Sequence, residues 1–266
     1  MSTESKLRVL ITGATSGIGL ATAKKFATQG YDVGVLSENA DLVQSVVAEL
    51  NGAGLSAFGC TTDLSKPASL VGLFDRLELD RGQIDVLVNN AGIGLQGDVA
   101  ETSNEDLRLL FEVNFFSMAT LSRDAIKVMA KRKSGHIINV SSAAARRALP
   151  GLSAYSCTKA AMHAYSQSLR VEGKCDGVSV SELLPMSVKT PFFENARNKS
   201  KQPYEAPTLS TTPERVADQI FLAANRQGTD LYTSFLARIA LAIDGLMPSI
   251  FERILVTRRL QSRRNK

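Results

Sequence analysis

Tyr155 and Lys159 are the residues whose types and spacing point most directly to chemistry. They stand four positions apart, so on a helix the phenol and the ammonium would share one face. A free phenol, with a pKa of about 10, is a poor base at neutral pH. An adjacent positive charge favours the phenolate and makes the tyrosine a better general acid/base. Ordinary surface helices also carry such pairs, so the rest of the chain has to decide between the two interpretations.

A glycine-rich segment, 12–19, follows the first strand-like run and opens into a helix-like run. Its glycines, Gly13, Gly17 and Gly19, allow a tight turn and the close approach of a pyrophosphate. The helix that follows would direct its free N–H groups and its positive dipole end at that phosphate. Alone, such glycines fit a structural turn equally well, but a strand before and a helix after favour a dinucleotide site.

Short apolar runs alternate with longer amphipathic segments along the chain. This alternation predicts βαβ units and a parallel sheet that is covered by helices on both faces. The predicted strands are Leu7–Thr12, Val33–Leu36, Leu55–Cys60, Ile84–Asn89, His136–Ser141 and Val178–Leu184. The predicted helices cover 17–29, 40–51, 66–80, 103–131 and 154–173. Residues 186–212 show no period and are predicted to form a lid-like loop.

The 266 residues suffice for one large domain, and the 44% of apolar and 21% of charged residues are ordinary for a soluble globular protein. The net charge of +5 resides in residues 251–266. The domain itself therefore has no basic bias, and no nucleic-acid partner is expected. No apolar run indicates a membrane span or a secretory signal. The three cysteines show no metal-ligand spacing, so we expect no metal and reduced thiols in a cytoplasmic protein.

Five motifs occur in the order and spacing typical of classical short-chain dehydrogenases/reductases. They are Thr12-Gly13-x3-Gly17-Ile18-Gly19, Asn89-Asn90-Ala91-Gly92, Asn114, Ser142 and Tyr155-x3-Lys159. The resemblance extends from residue 7 to about residue 233, and the five motifs together are highly specific. It implies a single Rossmann-type domain, here 1–233, followed by an apolar and then basic tail over 234–266. It also implies an oxidoreductase that interconverts a ketone and a secondary alcohol with NAD or NADP.

The resemblance further implies roles for single residues. Tyr155 would pass a proton to or from the substrate oxygen, and Lys159 would hydrogen-bond the nicotinamide ribose. Ser142 would orient the substrate carbonyl, and Asn114 would hold a water of the proton relay by keeping a helix locally open. The residues implied to contact the cofactor are Gly13, Thr15, Ser16, Gly17, Ile18, Gly19, Ser37, Glu38, Asp63, Leu64, Asn90, Ala91, Gly92, Tyr155, Lys159, Pro185, Val188 and Thr190.

Some of these residues have a structural alternative. Asn89 and Asn90 could cap a turn instead of shaping the site. Asp63 could equally cap the following helix or contact the adenine. Ser141 competes with Ser142, although the interval of thirteen residues to the tyrosine favours Ser142.

The cofactor preference depends on the end of the second strand, Ser37-Glu38. An acid there accepts hydrogen bonds from a free 2′-hydroxyl and repels a 2′-phosphate. Relatives that prefer NADP often carry arginine where this chain has Glu38, whereas relatives that prefer NAD place an acid where it has Ser37. The chain has neither the arginine of NADP-preferring relatives at position 38 nor the acid of NAD-preferring relatives at position 37. NAD(H) is therefore favoured slightly over NADP(H).

One further feature, after the sixth predicted strand, departs from the family pattern. Met186 stands where relatives have glycine, which adds bulk beside the nicotinamide, whereas Thr190 is expected to keep its role. His136 and His163 match no catalytic position and are interpreted as structural.

The tail after Thr233 combines apolar residues at helical spacing with a strongly basic end. This composition suits an interfacial membrane contact, and the alternative is a helix packed over the active site or on a partner subunit. The segment 143–152 is mostly small and apolar with two arginines, so it indicates an apolar substrate pocket, and an anionic headgroup near the arginines is the alternative. Together with the tail, it suits a hydrophobic or lipid-like substrate. Helices 103–131 and 154–173 resemble those by which relatives form homodimers and homotetramers. A catalytically idle nucleotide-binding scaffold is the rival function, against which the intact catalytic residues argue.

Overall fold

A seven-stranded parallel sheet forms the centre of the computed structural model, which describes residues 6–198, 210–226 and 228–264. The strands are rich in valine, isoleucine and leucine, as expected of strands that are covered on both faces. They are β1 (Arg8–Thr12), β2 (Asp32–Ser37), β3 (Ser56–Thr61), β4 (Val86–Asn89), β5 (His136–Val140), β6 (Ser179–Leu184) and β7 (Asp230–Tyr232). Their spatial order is β7-β6-β5-β4-β1-β2-β3, with every neighbouring pair parallel.

Ten α-helices in the described part of the chain connect and flank these strands. They are α1 (Gly17–Thr28), α2 (Ala40–Gly52), α3 (Pro67–Leu70), α4 (Leu73–Arg81), α5 (Asn104–Phe111), α6 (Ser117–Lys131), α7 (Ser153–Cys175), α8 (Pro213–Ala224), α9 (Phe235–Leu246) and α10 (Pro248–Arg264).

Alternate residues of each strand face two separate cores. Val9 and Ile11 of β1 belong to the core beneath α1, α2 and α8, whereas Leu10 points into the core beneath α4, α6 and α7. All three side chains are fully buried. The doubly wound α/β sheet implied by the sequence is therefore confirmed, and the carboxyl ends of β1, β4 and β5 meet at one edge, where such folds form their sites.

Two predicted helices are interrupted. The helix predicted over 66–80 breaks at Gly72, whose φ of +62° belongs to the left-handed region and ends a right-handed helix. The helix predicted over 103–131 contains a π-helical turn at Glu112–Phe116. Helix α8 and strand β7 were not predicted, because β7 is only three residues long and α8 follows an aperiodic segment.

The predicted lid-like loop, 186–212, contains two short pairings. Ser187–Val188 pairs with Ser210–Thr211, and Arg197–Asn198 pairs with Leu95–Gln96. Residues 199–209 of this loop lie outside the described residues. Helices α9 and α10 form the tail, of which the side chains of 258–264 and all of 265–266 also lie outside. In the parts of the chain that are described, no helix is long and apolar enough to cross a lipid bilayer.

Candidate active site

A cleft of about 490 Å³ opens at the carboxyl ends of the central strands. It brings together almost all residues that the sequence singled out, although they come from seven separate segments. Its walls include Gly13, Thr15, Ser16, Gly17, Ile18, Ser37, Glu38, Asp63, Leu64, Asn90, Ala91, Gly92, Ser142, Tyr155, Lys159, Pro185, Val188 and Thr190. Gly19 and Asn114 are buried and do not line the cleft.

The glycine loop between β1 and α1 has a conformation that only glycine adopts readily. Gly13 and Gly17 have φ values of +64° and +50°. A Cβ on Gly19 would lie 2.0 Å from the Gly13 carbonyl oxygen, so helix α1 can approach the loop only without a side chain there. Ser16 occupies the N-cap position of α1, but its hydroxyl accepts no hydrogen bond from the first N–H groups of the helix. These features suit a pyrophosphate at the helix N-terminus.

Thr12 and Asn90 lock this loop to the segment after β4. The Thr12 hydroxyl accepts hydrogen bonds from the N–H groups of Asn90 and Ala91, both at 3.0 Å. The Asn90 side chain donates to the main-chain oxygens of Thr12 at 3.0 Å and Gly13 at 3.3 Å. Asn90 therefore braces the turn as well as lining the cleft, so the two interpretations from the sequence are compatible.

The end of the cleft next to β2 and β3 is neutral to acidic. Thr15 donates a 3.1 Å hydrogen bond to Ser37, and the Glu38 side chain is exposed. Asp63 accepts hydrogen bonds from the Ser65 N–H at 2.9 Å and the Ser65 hydroxyl at 2.6 Å. These bonds lower the pKa of Asp63 below its ordinary value. Asp63 therefore stabilises the turn before α3 and does not cap that helix, whose N-cap residue is Lys66, and it also lines the cleft.

Tyr155 and Lys159 share one face of α7 at the other end of the cleft. Their relative exposures are only 6% and 3%. The ammonium nitrogen lies 5.8 Å from the centroid of the tyrosine ring and donates a 3.1 Å hydrogen bond to the Val140 carbonyl. Burial lowers the pKa of Lys159 to about 8, and the negative charge of Glu182 opposes this shift. A cation so close to a phenol stabilises the phenolate.

Ser142 and Ser141 have different environments. The Ser142 hydroxyl oxygen accepts a 3.1 Å hydrogen bond from the Ala144 N–H, so its proton remains available for a ligand in the cleft. The Ser141 hydroxyl instead donates to the main-chain oxygen of Lys159 at 3.4 Å. This contact ties the end of β5 to α7, and it leaves Ser142 as the better candidate to bind a substrate oxygen.

Asn114 lies in the π-helical turn and has no measurable exposure. Its oxygen accepts a 2.8 Å hydrogen bond from the Ile93 N–H, and its amide nitrogen donates to the Ile93 carbonyl at 3.0 Å and the Thr158 hydroxyl at 3.1 Å. The side chain therefore joins the segment after β4 to helix α7. The locally open helix expected from the resemblance is present, but the amide itself is engaged by protein groups.

Two aromatic residues of the cleft were not anticipated. Phe192 and Phe193 lie with ring centroids 5.7 Å and 6.4 Å from that of Tyr155. They belong to the aperiodic loop after β6, in which no sequence pattern indicates which side chains turn inward. Together with Met186 and Ile93 they add apolar side chains to the part of the cleft that holds Tyr155.

The chain is similar to known proteins in sequence and in fold. Residues 7–201 match the family described as short chain dehydrogenase. The chain is 31% identical to "Dehydrogenase/reductase SDR family member 7B" of Mus musculus over 267 residues, which cover 97% of this chain and 83% of that protein.

Two solved structures are also similar. A short-chain dehydrogenase from Sphingobium yanoikuyae in complex with NADPH has 26% identity and a TM-score of 0.80, over 92% of this chain and 95% of that one. A short-chain dehydrogenase from Streptomyces avermitilis has 28% identity and a TM-score of 0.80, over 96% of this chain and 99% of that one. The chain therefore belongs to the classical short-chain dehydrogenase/reductase family, whose members are NAD(P)-dependent oxidoreductases.

Proposed function

We propose that this protein interconverts a ketone and a secondary alcohol, with Tyr155 as the general acid/base. The observation that carries the proposal is the position of the Tyr155 phenol beside the buried Lys159 ammonium. Both side chains lie in the same cleft as the glycine loop at the N-terminus of α1. The nicotinamide dinucleotide, bound along that cleft, would supply or accept the hydride.

Each residue then has a defined task in the reaction. In the reducing direction, Tyr155 gives its phenolic proton to the carbonyl oxygen, and in the oxidising direction the phenolate removes the alcohol proton. The Lys159 charge favours the phenolate. Ser142 donates its free proton to the same oxygen and so orients the substrate. Asn114 holds Ile93 and Thr158 in place and thereby fixes α7 relative to the wall of the cleft.

We propose NAD(H) as the preferred cofactor. Among the described residues that line the cleft, Lys159 is the sole lysine or arginine, and it lies at the end away from Glu38. A 2′-phosphate would therefore meet Glu38 without a basic partner in the lining, which costs affinity. Lys66, outside the lining, is already paired with Asp63 at 3.0 Å. The Sphingobium relative is in complex with NADPH, so the preference has to be measured on this chain.

Fluorescence titration with NADH and NADPH tests the preference. We expect tighter binding of NADH, and a Glu38→Arg variant should gain affinity for NADPH by about tenfold, because a guanidinium pairs with the phosphate. A tenfold preference of the wild type for NADPH would overturn the proposal.

A hydrophobic or lipid-like substrate suits the apolar end of the cleft. Phe192 and Phe193 lie against Tyr155, and Met186, which stands where the family has glycine, lines the same cleft. The two arginines of segment 143–152 point elsewhere. Arg146 contacts His163 and Tyr232, and Arg147 forms an ion pair with Asp244 at 3.3 Å. An anionic headgroup near these arginines is therefore disfavoured.

The decisive experiment is a screen of hydrophobic ketones and secondary alcohols with both cofactors, followed by nicotinamide absorbance. Tyr155→Phe should lower kcat by at least about a hundredfold. Tyr165→Phe is the matched control, because Tyr165 lies on the same helix but its hydroxyl donates to Ala119 outside the cleft. Turnover that survives Tyr155→Phe would refute the general acid/base role. A cellular effect unchanged in Tyr155→Phe would favour the idle scaffold.

We further propose that the protein is cytoplasmic and that its tail, residues 234–266, contacts anionic membranes. Six large apolar residues, five in α9 and Met247 directly after it, are 41% to 83% exposed: Phe235, Leu236, Ile239, Ile243, Leu246 and Met247. A helix turns by about 100° per residue, so they fall within roughly a third of its circumference. Asp244 lies outside this stripe and is buried against Arg147. The helix thus presents its apolar side outward, and the sequence that follows is strongly basic, as in interfacial anchors.

Sedimentation with vesicles containing phosphatidylglycerol tests this contact. Wild-type protein should pellet with them, less so at high salt, and not with neutral phosphatidylcholine vesicles. A Leu236→Ser, Leu246→Ser double variant should stay in the supernatant. Leu222→Ser, which changes a residue 50% exposed on α8, should pellet like wild type. Equal pelleting of the double variant would refute the contact, and a changed oligomeric mass would indicate a second copy instead.

We propose a homodimer or homotetramer through the outer faces of α6 and α7. Val171 on α7 is 68% exposed, and Phe116 next to α6 is 48% exposed. Apolar residues of this size are typical of subunit interfaces. Light scattering should give twice or four times the 28.6 kDa mass of the chain.

A further inference from the structure

A row of polar side chains crosses the sheet beneath α7. The strand register places Asn89 beside Asn139, Asn139 beside Glu182 and Glu182 beside Asp230. Asn89 donates a 2.9 Å hydrogen bond to Asn139, which in turn donates to Ser166 of α7 at 2.9 Å. Strands covered on both faces are usually apolar throughout. The two carboxylates in this row, those of Glu182 and Asp230, therefore need interactions that compensate for their burial.

Glu182 is the most costly member of this row. It has no exposed surface, and one carboxylate oxygen lies 2.5 Å from Nδ1 of His163. The other oxygen has no hydrogen-bond partner among the described residues. Burial of a carboxylate costs several kcal/mol unless nearby positive charge compensates it.

The charged and titratable groups packed around the Glu182–His163 pair come from three elements. They are Lys159 and Arg170 on α7, Asp230 and Tyr232 on β7, and Arg146 in the segment after Ser142. Arg170 pairs with Asp230, so these two charges cancel. A guanidinium nitrogen of Arg146 lies 3.5 Å from Nε2 of His163. His163, Glu182 and Asp230 could also share a metal ion, but the two guanidinium groups disfavour a cation there.

Lys159 is a buried cation on the same face of α7 as His163. Tyr155, Lys159 and His163 recur every four residues along α7, so they share one face, and all three are buried. The Lys159 ammonium bonds to Val140, which pairs with Leu183 next to Glu182. The field of Glu182 raises the pKa of Lys159 against the larger effect of burial.

We propose that Glu182 is the buried counter-charge that keeps Lys159 protonated at neutral pH, with His163 holding the Glu182 carboxylate in place. Glu182 acts through Lys159, so it is a positioning residue. Its effect on the reaction rests on the proposed function, whereas its effect on the protonation of Lys159 does not.

Titration of the Lys159 side chain by NMR in the unliganded protein tests the proposal directly, with Lys159→Met to identify the signal. The wild-type midpoint should lie near pH 8. In Glu182→Gln it should fall by about one pH unit, because the opposing charge is lost. An Arg170→Met, Asp230→Asn double variant is the matched control and should leave the midpoint in place, because it removes both members of an ion pair and so leaves the net charge around Lys159 unchanged. An unchanged midpoint in Glu182→Gln would overturn the inference.

A second variant and a second measurement guard against misfolding. Glu182→Met keeps the volume without an unsatisfied amide, and it should lower the Lys159 midpoint in the same way. In the oxidising direction, the rising limb of the kcat/KM profile of Glu182→Gln should move to higher pH, whereas a merely structural role would lower the whole profile uniformly. No turnover with any substrate, together with a shifted Lys159 midpoint, would refute the proposed function and leave this inference standing.

Discussion

The ring of Phe192 lies beside that of Tyr155 in the cleft, with centroids 5.7 Å apart and an interplanar angle of 58°. Tyr155 comes from a helix and Phe192 from the loop after β6, so the contact closes the site between two separate parts of the chain. Aromatic pairs at such distances are stabilised beyond the burial of their surfaces. The loop therefore contributes directly to the environment of the phenol.

Phe192→Ala is expected to raise KM for hydrophobic substrates by about tenfold. Full burial of a phenylalanine side chain contributes about 1.5–3 kcal/mol, and the variant loses part of this contribution to substrate binding. Steady-state kinetics with the best substrate of the screen would measure it. Phe221→Ala removes the same atoms from the core around Phe26 and Tyr31. That control should lower Tm and leave KM unchanged, and equal KM effects would contradict the assignment.

Gly19→Ala is expected to abolish dinucleotide binding, because its Cβ would lie 2.0 Å from the Gly13 oxygen and 2.6 Å from the Asn90 side chain. The glycine loop would have to move away from α1. Gly52→Ala, at the end of α2, meets nothing within 4 Å and should be neutral or stabilise by up to about 1 kcal/mol. Titration with NADH and thermal unfolding of both variants provide the comparison. Normal binding by Gly19→Ala would contradict the close approach.

Asn114→Ala is expected to destabilise the fold by roughly 2–4 kcal/mol, because the N–H and C=O of Ile93 and the Thr158 hydroxyl lose their partner. Urea unfolding would measure this loss. Asn195→Ala, an exposed residue of the same cleft, should change stability by less than about 0.5 kcal/mol. A stable but inactive Asn114→Ala would shift the role of Asn114 from structure to chemistry.

His136 is expected to make the fold sensitive to acid. Burial lowers the pKa of this histidine from 6.5 to about 4, against a hydrogen bond to the main chain of Ala224. Between these two pH values the unfolded state therefore binds more protons than the folded state. The contribution of neutral His136 to the free energy of unfolding is complete above pH 6.5 and is lost as pH falls toward 4. The loss amounts to at most roughly 3 kcal/mol.

His136→Gln should retain the hydrogen bond to Ser181 and show a smaller decrease in stability between pH 7 and pH 4.5. Urea unfolding of both proteins at the two pH values measures the difference, because the carboxylates contribute alike to both. Equal decreases would show that His136 does not titrate in this range.

The sequence by itself determined the features that are encoded within short segments. Strand and helix periods repeat every two and 3.6 residues, so the alternation of elements, the glycine loop before α1 and the Tyr155-Lys159 pair are all visible locally. The parallel sheet follows from that alternation, and the clustering of the motif residues follows from the way parallel strands end at one edge. The roles of those residues are still predictions.

Only the tertiary structure decided which distant side chains meet. No period indicates that Phe192 turns onto Tyr155, that the amide of Asn114 is held by Ile93, or that Glu182 is buried beside His163. Such contacts depend on strand register and on the packing of helices against the sheet, which join residues far apart in the chain. For the same reason the apolar stripe of α9 predicts a helix, while the Arg147–Asp244 ion pair decides that the stripe faces outward.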